Sequence, residues 1–238
     1  EPEIVFLCNM LTKLGAQIQG IGTSNIIIEG NNGLLNNKEI HKFDIIPDRL
    51  QIGTYMMLPF FVQSKIYIYH KSMNNIINGL YIPLFERLGA KFTLYNNDLL
   101  ACEYSVQKPL DMFEIKTEPF PGFSTDLHPL LCAVLSLRAK TGIIHETIYE
   151  NRFQYAEELI KGGAKLSYNK NTIISQYIES FKYADFFAND IRCGAVTMLA
   201  SLNAIGTSTI DNIGQIWRGY DDIESNLQQL GANIKTIN

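Results

Sequence analysis

The chain has 238 residues, 46% of them apolar, and a formal charge of −4; this can bury a sizeable core and lies at the boundary between one large domain and two smaller ones. Lys and Arg are scattered, which argues against nucleic acid as a partner, and no run nears the roughly 18 apolar residues of a membrane span or has the charged start of a signal peptide. Cys8, Cys102, Cys132 and Cys193 lie far apart with no CxxC pair, and read as buried reduced thiols of a cytoplasmic protein.

The chain opens on a helical pattern, with Ile4, Val5, Leu7, Cys8, Leu11 and Leu14 on one face and a stop at Gly15. Gln17–Ile18 and Asn25–Glu29 then read as strands about a Gly20–Ser24 turn, and the Asn- and Gly-rich 30–38 as a loop. The end of the first helix recurs. Leu14-Gly15-Ala16-Gln17-Ile18 is echoed by Leu88-Gly89-Ala90-Lys91-Phe92, Gly162-Gly163-Ala164-Lys165-Leu166 and Leu230-Gly231-Ala232-Asn233-Ile234, with glycines 74, 74 and 68 residues apart. Each sits where an amphipathic helix must stop and turn into a strand.

A second marker runs out of phase with the first: Pro47-Asp48-Arg49, Thr125-Asp126-Leu127 and Asn189-Asp190-Ile191-Arg192, each opening a short apolar helix. A full unit is therefore an Asp-started helix, strands, an amphipathic helix ending in Gly-Ala, and further strands. Three units are complete. The one at 1–45 lacks its front half, so a boundary near Ile46 separates the tail of one domain, 1–45, from a whole second domain, 46–238.

The stretch Thr117–Phe153 is the most informative. Pro119-Phe120-Pro121-Gly122-Phe123 cannot continue a regular element, and Ser124, Thr125 and Asp126 offer oxygens to the N–H groups of a helix beginning there. The run Leu130–Leu135 reads as a buried helix ended by Gly142, followed by a strand over 143–147 and the polar group Glu150, Asn151, Arg152. Asp126 is either a helix cap or a side chain presented from a rigid turn. Arg49 and Arg192 stand in first helical turns, where the helix dipole disfavours a cation, so something negative must face them: the adjacent Asp48 or Asp190, or an anionic ligand. Arg218 lies before the turn Gly219-Tyr220, apart from the acidic Asp221, Asp222 and Glu224 that suit the start of the last helix.

Taken together, Pro119–Asp126, Glu146-Thr147-Ile148-Tyr149-Glu150-Asn151-Arg152-Phe153, Asn189–Arg192, Arg218-Gly219-Tyr220, Ile46-Pro47-Asp48-Arg49 and Gly53-Thr54-Tyr55 resemble the enolpyruvyl transferases, in particular the UDP-N-acetylglucosamine 1-carboxyvinyltransferases. The resemblance runs along essentially the whole chain. It implies an inside-out α/β barrel of three repeated units, helices inside and sheets outside, and transfer of enolpyruvyl from phosphoenolpyruvate to the 3-hydroxyl of UDP-N-acetylglucosamine in peptidoglycan synthesis. It implies Asp126 as the group contacting that hydroxyl and candidate general base, Asp190 as handling protons at the reacting carbons, a backbone contact from Ile148 to the nucleotide sugar, and Arg152, Arg192 and Arg218 around phosphoenolpyruvate; Arg49 is an anion-binding candidate by its place in a first helical turn.

The chemistry suits these residue types. A sugar hydroxyl needs a carboxylate within hydrogen-bond reach to take its proton, and guanidinium forks hold carboxylate and phosphate through a charged intermediate. No cofactor or metal is required, and no His or Cys spacing suggests one. The family's N-terminal Lys-Asn pair and its mobile loop with a reactive Cys or Asp match nothing here, Ser124 and Trp217 stand where it usually has Pro and Asp, and residues 36–38 look expanded. The expectation is a C-terminal portion, inactive without the missing N-terminal half. The alternatives are the shikimate-pathway enolpyruvyl transferase and a non-catalytic relative acting as a binding or structural partner.

Overall fold

The computed structural model describes residues 1–30, 32–33, 41–71, 73–76, 79, 81–105 and 107–237. The expected expansion at 36–38, and most of the loop over 30–38, lie outside the described residues. Two compact units are formed, Glu1–Pro47 and Asp48–Asn238. The first holds helix α1 (Pro2–Lys13) and an antiparallel pair, β1 (Gln17–Gln19) and β2 (Ile27–Glu29), in the register Ile18↔Ile28.

The second unit is built on three helices: α2 (Arg49–Val62), α4 (His128–Arg138) and α6 (Ile191–Asn203), which pack pairwise. Each is apolar on more than one side, so none can lie on a surface and all three are driven inward. Every residue of α4 is buried, as are Met56–Phe61 of α2 and Cys193–Ala200 of α6. Around them stand β3 (Lys65–Tyr69), β4 (Lys91–Tyr95) and β5 (Leu99–Glu103) in the order β3-β5-β4; β6 (Leu110–Lys116), β7 (Ala139–His145), β8 (Lys165–Tyr168) and β9 (Thr172–Gln176) in the order β6-β7-β9-β8; and the pair β10 (Asp185–Phe187) and β11 (Thr209–Asp211). Helices are inside and sheets outside, as expected. Among the described residues the outer wall is separate sheets rather than a closed ring.

Two parallel pairings link the repeats. β6 runs beside β7 with α4 between them in sequence, and β10 beside β11 with α6 between them. Each such connection sets a core helix against the strands on either side of it. The shorter helices α3 (Ile82–Arg87), α5 (Tyr155–Lys161), α7 (Gly214–Trp217) and α8 (Ile223–Gln229) complete the units.

The four Gly-Ala phrases end α1, α3, α5 and α8 in one and the same way. Gly15, Gly89, Gly163 and Gly231 have φ of +102°, +98°, +86° and +95°. The following alanine donates to the carbonyl five residues back, of Leu11, Phe85, Leu159 and Leu227, while the glycine donates three back, closing two otherwise open carbonyls per helix. Strands follow three of these stops. The fourth departs from expectation: 232–237 joins no strand among the described residues and is tied to α8 by Gln228 Nε2 to Ile234 O at 2.8 Å and Thr236 N to Glu224 Oε1 at 2.9 Å.

Gly142 does not end α4, contrary to the sequence expectation. The helix stops at Arg138, whose buried guanidinium donates to Leu88 O at 3.0 Å and Gln107 O at 3.1 Å, and β7 begins at once. Gly142 lies inside β7, where a Cβ would come within 2.7 Å of Leu135 Cβ on α4 and 2.5 Å of Ser175 Oγ on β9. Close helix–sheet approach, and not helix termination, is what requires glycine there.

Candidate active site

Local sequence sets the three helix starts, and one of them breaks the pattern. Asp48 and Asp190 cap α2 and α6, accepting from Leu50 N and Gln51 N and from Cys193 N respectively. Asp126 does not cap α4. The turn before it is closed by Glu118 N to Phe123 O and Gly122 N to Pro119 O, then by Leu127 N to Ser124 O, so the helix begins at His128 with no side-chain cap. The Asp126 carboxylate is left for partners from elsewhere in the chain.

Those partners are two arginines on one oxygen. Arg152 Nη2 donates to Asp126 Oδ1 at 2.8 Å, and Arg192 brings both Nε and Nη2 to 2.7 Å of the same atom. Arg192 Nη1 also reaches Asp190 Oδ2 at 3.2 Å. The cation in the first turn of α6 is thus balanced by its neighbouring aspartate and by a second one from another repeat. Arg152 and Arg192 are 15% and 31% exposed at their side chains and Asp126 37%, so the cluster is half-buried and open on one side.

Beneath it lies a buried layer. Arg152 Nη1 donates to Thr125 Oγ1 at 2.6 Å, and Thr125 donates to Glu146 Oε2 at 2.7 Å. Glu146, just past the end of β7, also accepts from Thr117 Oγ1, Ile148 N and Tyr149 N on Oε1 at 2.9, 2.7 and 3.0 Å. His128 Nδ1 faces Thr125 O at 2.8 Å and Glu146 Oε2 at 3.1 Å, two acceptors that place a proton on that nitrogen. Burial pushes the Glu146 carboxyl upward, but the His128 ring, the Thr125 hydroxyl and the two backbone N–H groups outweigh it and bring the value down to about 2. Tyr149 adds a ring 4.6 Å from the Arg152 guanidinium carbon.

Of the other expected residues, Arg218 and Arg49 stand outside these contacts, and Ile148 enters them only through its backbone N–H. Arg218 is exposed and donates from Nη1 to Gln215 Oε1 at 2.8 Å, a bond within its own turn. Its neighbour Gly219 lies against Ile191, where a Cβ would meet Cγ2 at 2.5 Å, so the turn that carries Arg218 is held beside the start of α6. Tyr220 then shares a 2.9 Å hydroxyl contact with Thr54 of α2; burial first of all pushes its hydroxyl up to about 12. Arg49 is buried, with Nη1 on Tyr81 OH at 2.9 Å and its guanidinium 5.4 Å from the Phe120 ring. The N–H of Ile148 is taken by Glu146. Among the described residues no three His, Cys, Asp or Glu side chains gather as a metal site would.

A family profile for EPSP synthase (3-phosphoshikimate 1-carboxyvinyltransferase) matches residues 1–227. The chain belongs to the EPSP synthase family. Among its curated relatives, the UDP-N-acetylglucosamine 1-carboxyvinyltransferase of Buchnera aphidicola subsp. Schizaphis graminum is 37% identical over 237 residues, covering 100% of this chain and 55% of the relative. The enzyme of the same name from Psychrobacter sp. is 34% identical over 241 residues, covering 100% and 53%. The chain therefore spans about half the length of the curated relatives it matches. Of solved structures, the enolpyruvyl transferase NikO from Streptomyces tendae shares the fold at a TM-score of 0.84 and 23% identity, over 99% of this chain and 54% of that one. An EPSP synthase from Acinetobacter baumannii does so at 0.59 and 14%, over 83% and 45%.

For this EPSP synthase family member, sequence reasoning named the upper layer of the cluster and missed the lower one. Nothing in the sequence marks Thr117 or His128, Glu146 stands in the phrase 146–153 without a role of its own, and Thr125 offers itself only as a capping oxygen at the start of a repeat. The available signal was a lone acid directly after the apolar strand β7, a position that asks for buried donors.

Proposed function

We propose that this chain forms the C-terminal part of a UDP-N-acetylglucosamine 1-carboxyvinyltransferase, transferring enolpyruvyl from phosphoenolpyruvate to the 3-hydroxyl of UDP-N-acetylglucosamine in the cytoplasmic stage of peptidoglycan synthesis. In this reading 1–45 complete a preceding barrel, 46–238 form a second one, and the other wall of the cleft comes from the N-terminal half that the relatives possess. The observation that carries it is the single oxygen of Asp126 held by both Arg152 and Arg192.

An oxygen holding N–H groups from two guanidiniums has little capacity left for a hydroxyl proton. Phosphoenolpyruvate, with its carboxylate and phosphate, offers those guanidiniums a more highly charged partner. As they turn to it, Asp126 is released to accept the 3-hydroxyl proton while the sugar oxygen bonds to C2, the C2–C3 double bond opens, and a general acid of the completed cleft delivers a proton to C3. Asp190, already bonded to Arg192, handles the C3 proton as the intermediate collapses and inorganic phosphate leaves. Arg218 joins by breaking its bond to Gln215, Arg49 adds positive charge from α2, and the backbone at Ile148 lines the sugar side.

Calorimetric titration of UDP-N-acetylglucosamine and of shikimate 3-phosphate into the chain tests the acceptor. Binding of the first, weakened in Asp126→Ala, is expected. Preference for shikimate 3-phosphate would move the reading to the shikimate-pathway reaction. No steady phosphate release is expected from phosphoenolpyruvate and UDP-N-acetylglucosamine with the 238-residue chain alone, and its appearance would refute the need for the second half.

A further inference from the structure

The buried layer under the site has a direction, and that direction comes from one charge. We propose that Glu146 is a positioning residue: it dictates which way the Thr125 hydroxyl points and thereby holds the Arg152 guanidinium in register with Asp126. This rests on the proposed function only in giving Arg152 an anionic substrate to hold.

Glu146 is 2% exposed and cannot touch a substrate. Its Oε1 takes the Ile148 and Tyr149 N–H groups and the Thr117 hydroxyl, and its Oε2 faces Thr125 Oγ1 and His128 Nδ1. All are donors. A carboxylate can only accept, so Thr125 must spend its proton on Glu146 and turn its lone pairs toward Arg152, which meets them at 2.6 Å. Arg152 is then gripped at both ends of its fork, Nη1 on Thr125 and Nη2 on Asp126. A neutral hydroxyl with a free proton would have no such preference.

Glu146→Gln keeps the volume and reverses the polarity. The two backbone N–H groups cannot turn, so the amide oxygen must stay on them and the amide NH₂ then points at Thr125 and His128. Thr125 must then accept from the amide, its proton no longer has a fixed acceptor, and the bond from Arg152 Nη1 to its oxygen loses the orientation and the polarisation that the carboxylate supplies. Thr125→Val cuts the same link from the other side and leaves the remaining donors on Glu146 intact; Thr125→Ser preserves the hydroxyl.

The test follows the guanidinium resonances of Arg152 in ¹⁵N-arginine-labelled protein, assigned by their loss in Arg152→Lys. A fork pinned at both ends rotates slowly about Nε–Cζ and shows separate Nη signals. Glu146→Gln and Thr125→Val are each expected to speed that rotation by about tenfold, the equivalent of one charge-assisted bond. Thr125→Ser keeps the original pattern, and the double variant goes no further than either single one. Wild-type Arg152 signals in a folded Glu146→Gln protein would overturn the proposal. So would a silent Thr125→Val, and that comparison alone decides if Glu146→Gln does not fold. Phosphoenolpyruvate titration of the unmodified chain is a separate readout, so a failure to bind with the Arg152 pattern as expected counts against the proposed function and leaves the positioning role supported.

Discussion

Gly142→Ala tests whether β7 and α4 are held at one separation. The new methyl would lie 2.5 Å from Ser175 Oγ and 2.7 Å from Leu135 Cβ. The Ser175 hydroxyl can rotate away, but Leu135 Cβ is fixed by the backbone of a fully buried helix, so α4 or β7 must yield by several tenths of an ångström. Overpacking of this kind costs about 1–3 kcal/mol. Gly163→Ala supplies the control: at φ +86° it pays about 1–2 kcal/mol of left-handed backbone strain, yet its nearest neighbours are flexible Lys182 carbons at 3.3 Å. Urea unfolding followed by circular dichroism and Trp217 fluorescence compares the two. Both should lose stability, but only Gly142→Ala should also disturb the Arg152 guanidinium signals, because α4 follows Asp126 and β7 leads into Glu146. A Gly142→Ala protein within about 0.5 kcal/mol of the original would refute the close-approach argument.

The Glu146 carboxyl sits at about 2 in the folded chain against an ordinary 4.5. A lowered acid stabilises the fold above its unfolded value, so roughly 3 kcal/mol is present above pH 4.5 and is lost as pH falls toward 2. Acid titration of stability should show this loss in the wild type and lack it in Glu146→Gln; parallel curves would contradict it. Removing either end of the Thr54–Tyr220 contact should be unequal. Tyr220→Phe leaves Thr54 bonded to Leu50 O at 3.0 Å and costs about 1 kcal/mol, whereas Thr54→Val strands a buried hydroxyl and costs up to about 3, and urea midpoints in the reverse order would exclude that account. Burial pushes the Cys102 and Cys132 thiols up to about 12 and Cys193 to about 11. Mass spectrometry after iodoacetamide at pH 8 should find these three unmodified in native protein and alkylated after denaturation; fast native labelling would show them to be accessible.

What could be read from the residues alone is what neighbours in sequence decide. The Gly-Ala stops at Gly15, Gly89, Gly163 and Gly231 use donors and carbonyls no more than five positions apart, and the caps at Asp48 and Asp190 reach two or three residues ahead. Such bonds form wherever the local pattern recurs, so the repeat, its four Gly-Ala helix ends and the buried character of the run Leu130–Leu135 were visible in the primary structure, whereas the end of α4 at Arg138 was not. Packing over long separations decided the rest. Asp126 sits where its two relatives cap helices, yet it is bound to Arg152, 26 residues away, and Arg192, 66 away. Glu146 meets Thr117 and Thr125 across 29 and 21 residues, and Gly142 is required by Leu135 and Ser175 and not by any turn. A carboxylate takes the strongest donors within reach, and which donors those are is known only once three helices have brought distant repeats to a common end.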